Sequence, residues 1–333
     1  MKIDSSQPIW AKDLPILLTE VYSRIGAQTP DNPDCLLIDL IEWLNRIPTR
    51  FPRYVHVSDS LQRKILTPYE IQGIQSIQTA LEHGRDMRPF LGESTFSIRN
   101  RVRKKSKIGK LNDLFFSAWG LHHFHLGADF ANSGKRVMRS RRVLIAHLSE
   151  SDAYLINVVP HGKGFADVWG DQSYFEIFQR NWPLVFERYE LKGIIAPEQK
   201  DQFSAYEYMQ LRESGITTPV IVNGRAFLGF GLGIATDGSS IRAVELSDRI
   251  RHELSEGEKV FREKEPSGDA VLFVAHDASV GFFVPEKNTA FSIFPGKTSR
   301  SNITQFFSRL LAETDILQNA PKGGIWTPAA GRV

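Results

Sequence analysis

The run Arg142-Val143-Leu144-Ile145-Ala146-His147-Leu148-Ser149-Glu150-Ser151-Asp152-Ala153-Tyr154-Leu155-Ile156-Asn157-Val158-Val159 decides the fold class. Two apolar, β-rich stretches, Arg142 to Leu148 and Ala153 to Val159, flank the polar residues Ser149 to Asp152, so the run reads as a β-hairpin. Just upstream, Leu121 to Leu126 is a shorter strand bounded by Gly120 and Gly127. Helical periodicity dominates before this small central antiparallel sheet, and strands mix with helices after it. The class expected is therefore α+β. Three parts are expected: a helical region over 1–96, a central basic and histidine-rich α+β domain over 97–195, and a C-terminal α+β domain over 196–333.

The N-terminal helices carry clear signals. Pro15 to Gly26 and Asp34 to Arg46 each place apolar residues on one stripe, and Thr67-Pro68-Tyr69-Glu70 is a capping box with proline at the first helical position. These three helices are expected to pack together. From Phe115 onward the pattern turns strand-like. Ser173 and Glu176 suggest another capped helix, and Pro197 to Ser214 a further one. Asn223-Gly224 suits a type I′ hairpin turn. Gly229, Gly231 and Gly233 alternate and read as a bulged strand. Ile241 to Glu265 is a long amphipathic helix, three short strands follow, and a helix from about Asn302 to Glu313 precedes a tail docked through Trp326.

Charge is distributed unevenly. The 333 residues sum to +3, yet Arg99 to Arg142 holds twelve cationic residues against Asp113 and Asp129, a net of +10, which leaves −7 for the rest. A concentrated basic segment points to a polyanionic partner, with RNA or another nucleic acid the first choice. Arg103, Lys104, Lys105, Lys107, Lys135, Arg139 and Arg141 are the expected backbone contacts. Apolar residues at 41% and charged residues at 24% suit a folded chain. No apolar run is long enough for a membrane span. The first twelve residues lack the apolar core of a secretory signal, and the single cysteine, Cys35, excludes an intramolecular disulfide and a cysteine-built zinc site. A cytoplasmic protein without membrane association is expected.

Five of the nine histidines lie between His122 and His161. On a strand, His123 and His125 project to one side, while His122 joins Phe124 and Leu126 on the other. Imidazole titrates near pH ~6.5 and so can accept and return a proton. Guanidinium grips phosphate at two points. Together they suit cleavage of RNA by its own 2′-hydroxyl, a route needing neither metal nor other cofactor. His123, His125 and His161 are the candidate acid/base groups, and Arg142 the candidate for transition-state charge.

Three pieces carry a resemblance: Gly120 to Gly127, then Arg141 to Ala146, then Asp152 to His161. In this order they resemble the core of the HigB/RelE-like toxin family. That resemblance implies a small antiparallel sheet with helices, endoribonuclease activity on mRNA, and a protein partner such as an antitoxin. It would match Arg142 to the phosphate-contacting arginine, His161 to the acid/base group, and His123 and His125 to the polar positions before the glycine. Two other uses of the same residues stand beside it. The histidines can be structural parts of a non-catalytic module that binds nucleic acid or protein. Alternatively His123 and His125, with His147 or His161 and a carboxylate such as Asp167 or Asp171, can hold zinc in a metal hydrolase.

Overall fold

A computed structural model describes residues 7–96, 98, 113–127, 129, 136–198, 202–266, 269–296, 300–314 and 325–328. In chain order the elements are α1 (Ile9–Arg24), α2 (Asp34–Arg46), β1 (Tyr54–Val57), α3 (Asp59–Gln62), α4 (Pro68–Glu82), α5 (Leu114–Trp119), β2 (Leu121–His125), β3 (Arg142–Leu148) and β4 (Asp152–Pro160). There follow α6 (Ser173–Asn181), α7 (Pro183–Phe186), α8 (Ala205–Glu213), β5 (Val220–Val222), β6 (Arg225–Phe227), α9 (Ile241–Lys264), β7 (Val271–Ala275), β8 (Val280–Val284), β9 (Thr289–Phe294), α10 (Asn302–Thr314) and β10 (Ile325–Trp326). The class is α+β.

Contacts divide the chain along other lines than 1–96, 97–195 and 196–333. One unit draws on residues 45–98 and 113–242, the other on 7–44 and 243–328. Helices α1 and α2 therefore share a unit with the C-terminal elements, and α4 belongs to the other. The links are polar as well as apolar. The Glu258 carboxylate accepts from the first backbone N–H groups of α1, Ile9 at 3.0 Å and Trp10 at 3.2 Å. Buried Asp13 accepts from Leu272 N–H at 2.8 Å, and burial raises its pKa. In this unit β10, β7, β8 and β9 form an antiparallel sheet. Trp326 is buried in β10, and its indole N–H donates to Glu20 at 2.6 Å.

The other unit is built on a four-stranded sheet in the order β1-β4-β3-β2. β2, β3 and β4 pair antiparallel as expected, whereas β1 joins β4 in parallel. The sheet is thus mixed. α4 begins with the expected capping box, Thr67 accepting from Glu70 N–H and Glu70 from Thr67 N–H. Its apolar stripe, Ile74, Ile77 and Leu81, packs against Phe124, Leu144, Ala146, Leu155 and Val158 on one face of the sheet. The other face presents Leu121, Val143, Ile145, Tyr154, Ile156 and Val159 to α5, α6, α7 and α8, with Phe175, Phe178, Phe227 and Phe230 fully buried between them. Each such phenylalanine contributes roughly 1.5–3 kcal/mol.

The strand pairing contains one irregularity. Ile145 lies opposite Asn157 and Ala146 opposite Leu155, so Ile156 has no partner. This extra residue is a β-bulge. Its carbonyl is occupied by the hydroxyl of buried Ser58, which also accepts from Leu61 N–H at the start of α3. Before the bulge, Ala153 and Leu155 face α4; beyond it, Val158 does. Parity along β4 is reversed at this point.

Local expectations were met unevenly. Asn223 and Gly224 take positive φ between β5 and β6, as a type I′ turn demands. Residues 115–119, where the pattern reads as strand-like, are helical in α5, which ends on Gly120 at φ +66°. A side chain on Gly120 would meet the Gly231 backbone within 2.6 Å. Gly229 and Gly231 likewise lie against α5 backbone rather than in a bulged strand. The capping box of α8 is Ser204 with Glu207, so that helix starts later than Pro197.

Candidate active site

β2 sets the first two groups. Strand alternation puts Leu121, His123 and His125 on one face, and their cross-strand partners are His147, Ile145 and Val143. This is the face covered by α5 and α6, not the α4 face. His161 follows β4 and donates its backbone N–H to Arg141 O at 2.8 Å, so these two residues sit opposite each other. Because the bulge reverses parity at Ile156, Asn157, Val159 and His161 share the face of Ile145 and Val143. A regular β4 would have sent His161 to the α4 face.

The three imidazoles converge. One ring nitrogen from each of His123, His125 and His161 lies within 4.8 Å of the others. Ring centroids are 5.0 Å apart for His125 and His161, 6.0 Å for His123 and His125, and 6.1 Å for His123 and His161. His125 is buried, His123 and His161 partly so. Nδ1 of His123 and Nδ1 of His125 are buried without a hydrogen-bond partner. Such groups are uncommon, since each forfeits its solvation for nothing. Burial first, and then the positive charge of Arg139, pushes the His125 pKa down to about 3. Burial, with His123 and Arg139 adding, also lowers that of His161. Both rings are neutral near pH 7.

Two further groups frame the trio. Asp113 caps α5, its Oδ1 accepting from Phe116 N–H at 3.0 Å. Its Oδ2 lies 3.6 Å from His123 Nδ1, close enough for an ion pair but too long for a hydrogen bond. Trp169, in a short 3-10 turn, packs edge-on against His123 at 5.0 Å and His161 at 5.6 Å. Arg212 of α8 fixes that turn by donating from Nη1 to Trp169 O at 2.8 Å while lying 4.3 Å over the Trp119 ring. Gly170 lets α8 approach, for a side chain there would fall 1.9 Å from Ala205 O.

Arg142 is not part of this arrangement. It lies opposite Pro160, on the face of Leu144 and Ala146. Its guanidinium donates to Ile65 O at 3.2 Å and sits 3.7 Å from the Glu70 carboxylate. Strand parity turns it away from the imidazoles. Arg141 and Arg139 have the parity of Val143, and both are exposed. Both precede β3, in the segment where Ser140 N–H donates to Leu126 O at 2.8 Å, and the charge of Arg139 acts on His125 and His161. The other expected contacts, Arg103, Lys104, Lys105, Lys107 and Lys135, lie outside the described residues.

His147 and His122 are also separate from the site. His147 shares the trio's face at the far end of β3, where its Nδ1 engages Gly120 O at 3.2 Å and its ring stacks on Phe230 at 3.9 Å. His122 is buried on the opposite face beside Phe116 and Phe124. Asp167 is exposed, and Asp171 accepts from Ser173 N–H, so neither joins the three rings. Sequence reasoning missed Asp113 and Arg212 as parts of the site. Only Asp113 had a local signal, as a capping residue before an apolar run.

Among the described residues no helix is long and apolar enough to cross a membrane. Comparison with protein-family models, with curated proteins and with solved structures finds no match to this chain.

Proposed function

We propose that the three-histidine face is a phosphodiester-cleaving centre that acts on RNA. One observation carries this reading: His123, His125 and His161 bring ring nitrogens together on a single face of the sheet, and two of the buried nitrogens have no partner. Structural histidines spend their nitrogens on carbonyls or carboxylates; these hold theirs toward one another. Arg141, opposite His161, and Arg139, whose charge reaches His125 and His161, take the phosphate-gripping role first expected of Arg142. Trp169 offers a ring edge beside the imidazoles and a surface on which an unpaired base can stack.

The test is a cleavage assay on labelled single-stranded RNA, run beside a salt titration of binding. Cleavage by the intact chain, lost in His161→Ala and His125→Ala but retained in Arg142→Ala, is expected. A substrate with one 2′-deoxy position reports whether the internal hydroxyl is the nucleophile. Salt-sensitive binding without cleavage, unchanged by His161→Ala, would instead assign the chain to the class of non-catalytic RNA-binding modules.

A further inference from the structure

The geometry points to His123, His125 and His161 as the ligands of a divalent transition metal, with a coordination position left open and Asp113 as the positioning residue behind His123. This departs from the expectation of a cofactor-free site. It rests on the reading that the trio is a functional centre, but not on the identity of the substrate.

The donor set is the first argument. Three imidazoles are a frequent ligand set for zinc and similar ions, and three protein ligands leave room for water or substrate. His123 and His125, two apart on β2, supply two ligands from one face, and His161 arrives from the end of β4, across β3. The present spacing fits with small adjustment. A tetrahedral ion with Zn–N bonds of about 2.0–2.1 Å holds its nitrogens about 3.3 Å apart. From a span of at most 4.8 Å, side-chain torsions alone can close the difference.

The unpartnered nitrogens are the second argument. A buried imidazole nitrogen that meets neither carbonyl nor water costs free energy, of order 1–3 kcal/mol per group. Two such atoms in one cluster, His123 Nδ1 and His125 Nδ1, are unlike His147, whose Nδ1 is satisfied by Gly120 O. Coordination relieves the cost for any nitrogen turned to the ion. The other nitrogen then needs an outer partner, and Asp113 Oδ2 stands 3.6 Å from His123 Nδ1. Movement of under an ångström makes this the carboxylate–imidazole bond that fixes the tautomer and orientation of a ligating histidine. Asp113 is itself held by its hydrogen bond to Phe116 N–H. Three neutral ligands leave the ion's double charge largely uncompensated, which favours an anionic substrate and acidifies bound water to a pKa near ~7.

The bulge at Ile156 supports the same reading, because it is the feature that carries His161 to the side of His123 and His125. Bulges that re-aim a side chain recur beside functional sites.

The experiment uses the untagged full-length chain, stripped with a chelator and dialysed. Zn²⁺ alone is titrated by calorimetry, and Co²⁺ by its visible absorption. One ion per chain and a Co²⁺ band of nitrogen-ligated type are expected, both lost in His125→Ala and in His161→Ala with an unchanged circular dichroism spectrum. Asp113→Asn keeps the helix cap, since asparagine caps as well as aspartate, and should weaken binding about 10–100-fold while shifting the Co²⁺ band. Should His125→Ala not fold, His161→Gln at the more open position makes the same test. Failure of the wild-type chain to take up a stoichiometric ion overturns the inference even if RNA is cut, and so does uptake that survives loss of His161. Stoichiometric, histidine-dependent uptake without RNA cleavage upholds it and removes only the substrate assignment.

Discussion

The two ends of one sheet face use the same residue type to opposite ends. At one end His147 is a core residue: its Nδ1 is bonded to Gly120 O, and its ring lies between Phe230 and Tyr154. At the other end His123, His125 and His161 face each other with nitrogens unspent. Burial alone does not separate the two cases, since His125 and His147 are both buried. What separates them is hydrogen-bond completion. An imidazole with its polar atom answered by the backbone belongs to the fold, and a group of imidazoles answered only by one another is free for chemistry.

If that contrast is sound, the His147 end should be where stability is lost most readily. Phe230→Ala removes the ring stacked on His147 and should cost about 3–5 kcal/mol in urea unfolding, whereas His161→Ala should cost under about 1 kcal/mol. Similar losses at both sites would break the comparison. Acid should reveal the buried end next. Burial, with the positive charge of Arg242 adding and the Gly120 hydrogen bond opposing, lowers the His147 pKa to about 4. A base whose folded pKa lies below its unfolded value of about 6.5 binds its proton more readily when unfolded. Its contribution to stability is therefore intact above pH ~6.5, falls as pH drops toward 4, and levels off below that, a loss of up to about 3 kcal/mol. Because burial also lowers the His125 and His161 pKa values, unfolding midpoints from pH 7 to 4 are compared between the wild type and His147→Gln, and an unchanged slope in the variant would contradict this.

Smaller effects sharpen the picture. Ser58→Ala removes the hydroxyl that holds the Ile156 carbonyl and caps α3, and should cost about 1–3 kcal/mol by chemical denaturation. The arginine pair tests the faces directly. Arg141→Ala should weaken RNA binding and reduce the slope of log affinity against log salt by about 1. Arg142→Ala, on the α4 face beside Glu70, should leave that slope unchanged.

Much of the local structure was legible along the chain. The hairpin of β3 and β4, the capping box of α4 and the Asn223-Gly224 turn all follow from short-range chemistry, and each stands where the residues imply. His123 and His125 share a face because alternation requires it. The choice of Arg142 failed for the same reason that those two succeeded. Parity along β3 gives Arg141 to the imidazoles and Arg142 to α4, and the expectation had used the arginine's place at the head of the strand instead of its side. The bulge at Ile156 has no marker in Leu155-Ile156-Asn157, so the face of His161 was not readable. Nor was the alliance of α1 with β7, which rests on bonds such as Asp13 to Leu272 across more than two hundred residues. Local propensity holds no record of such a pairing.

The unpaired Ile156 makes the distance from Tyr154 to His161 a matter of odd and even. The separation is an odd number of positions, and the bulge offsets it so that both residues share one face. Straightening the strand at that count would turn His161 to the far side of the sheet, whereas losing Ile156 would restore a regular ladder with an even separation and leave the third imidazole where it is. Length and bulge are matched in this segment, and a change in one is harmless only with the compensating change in the other.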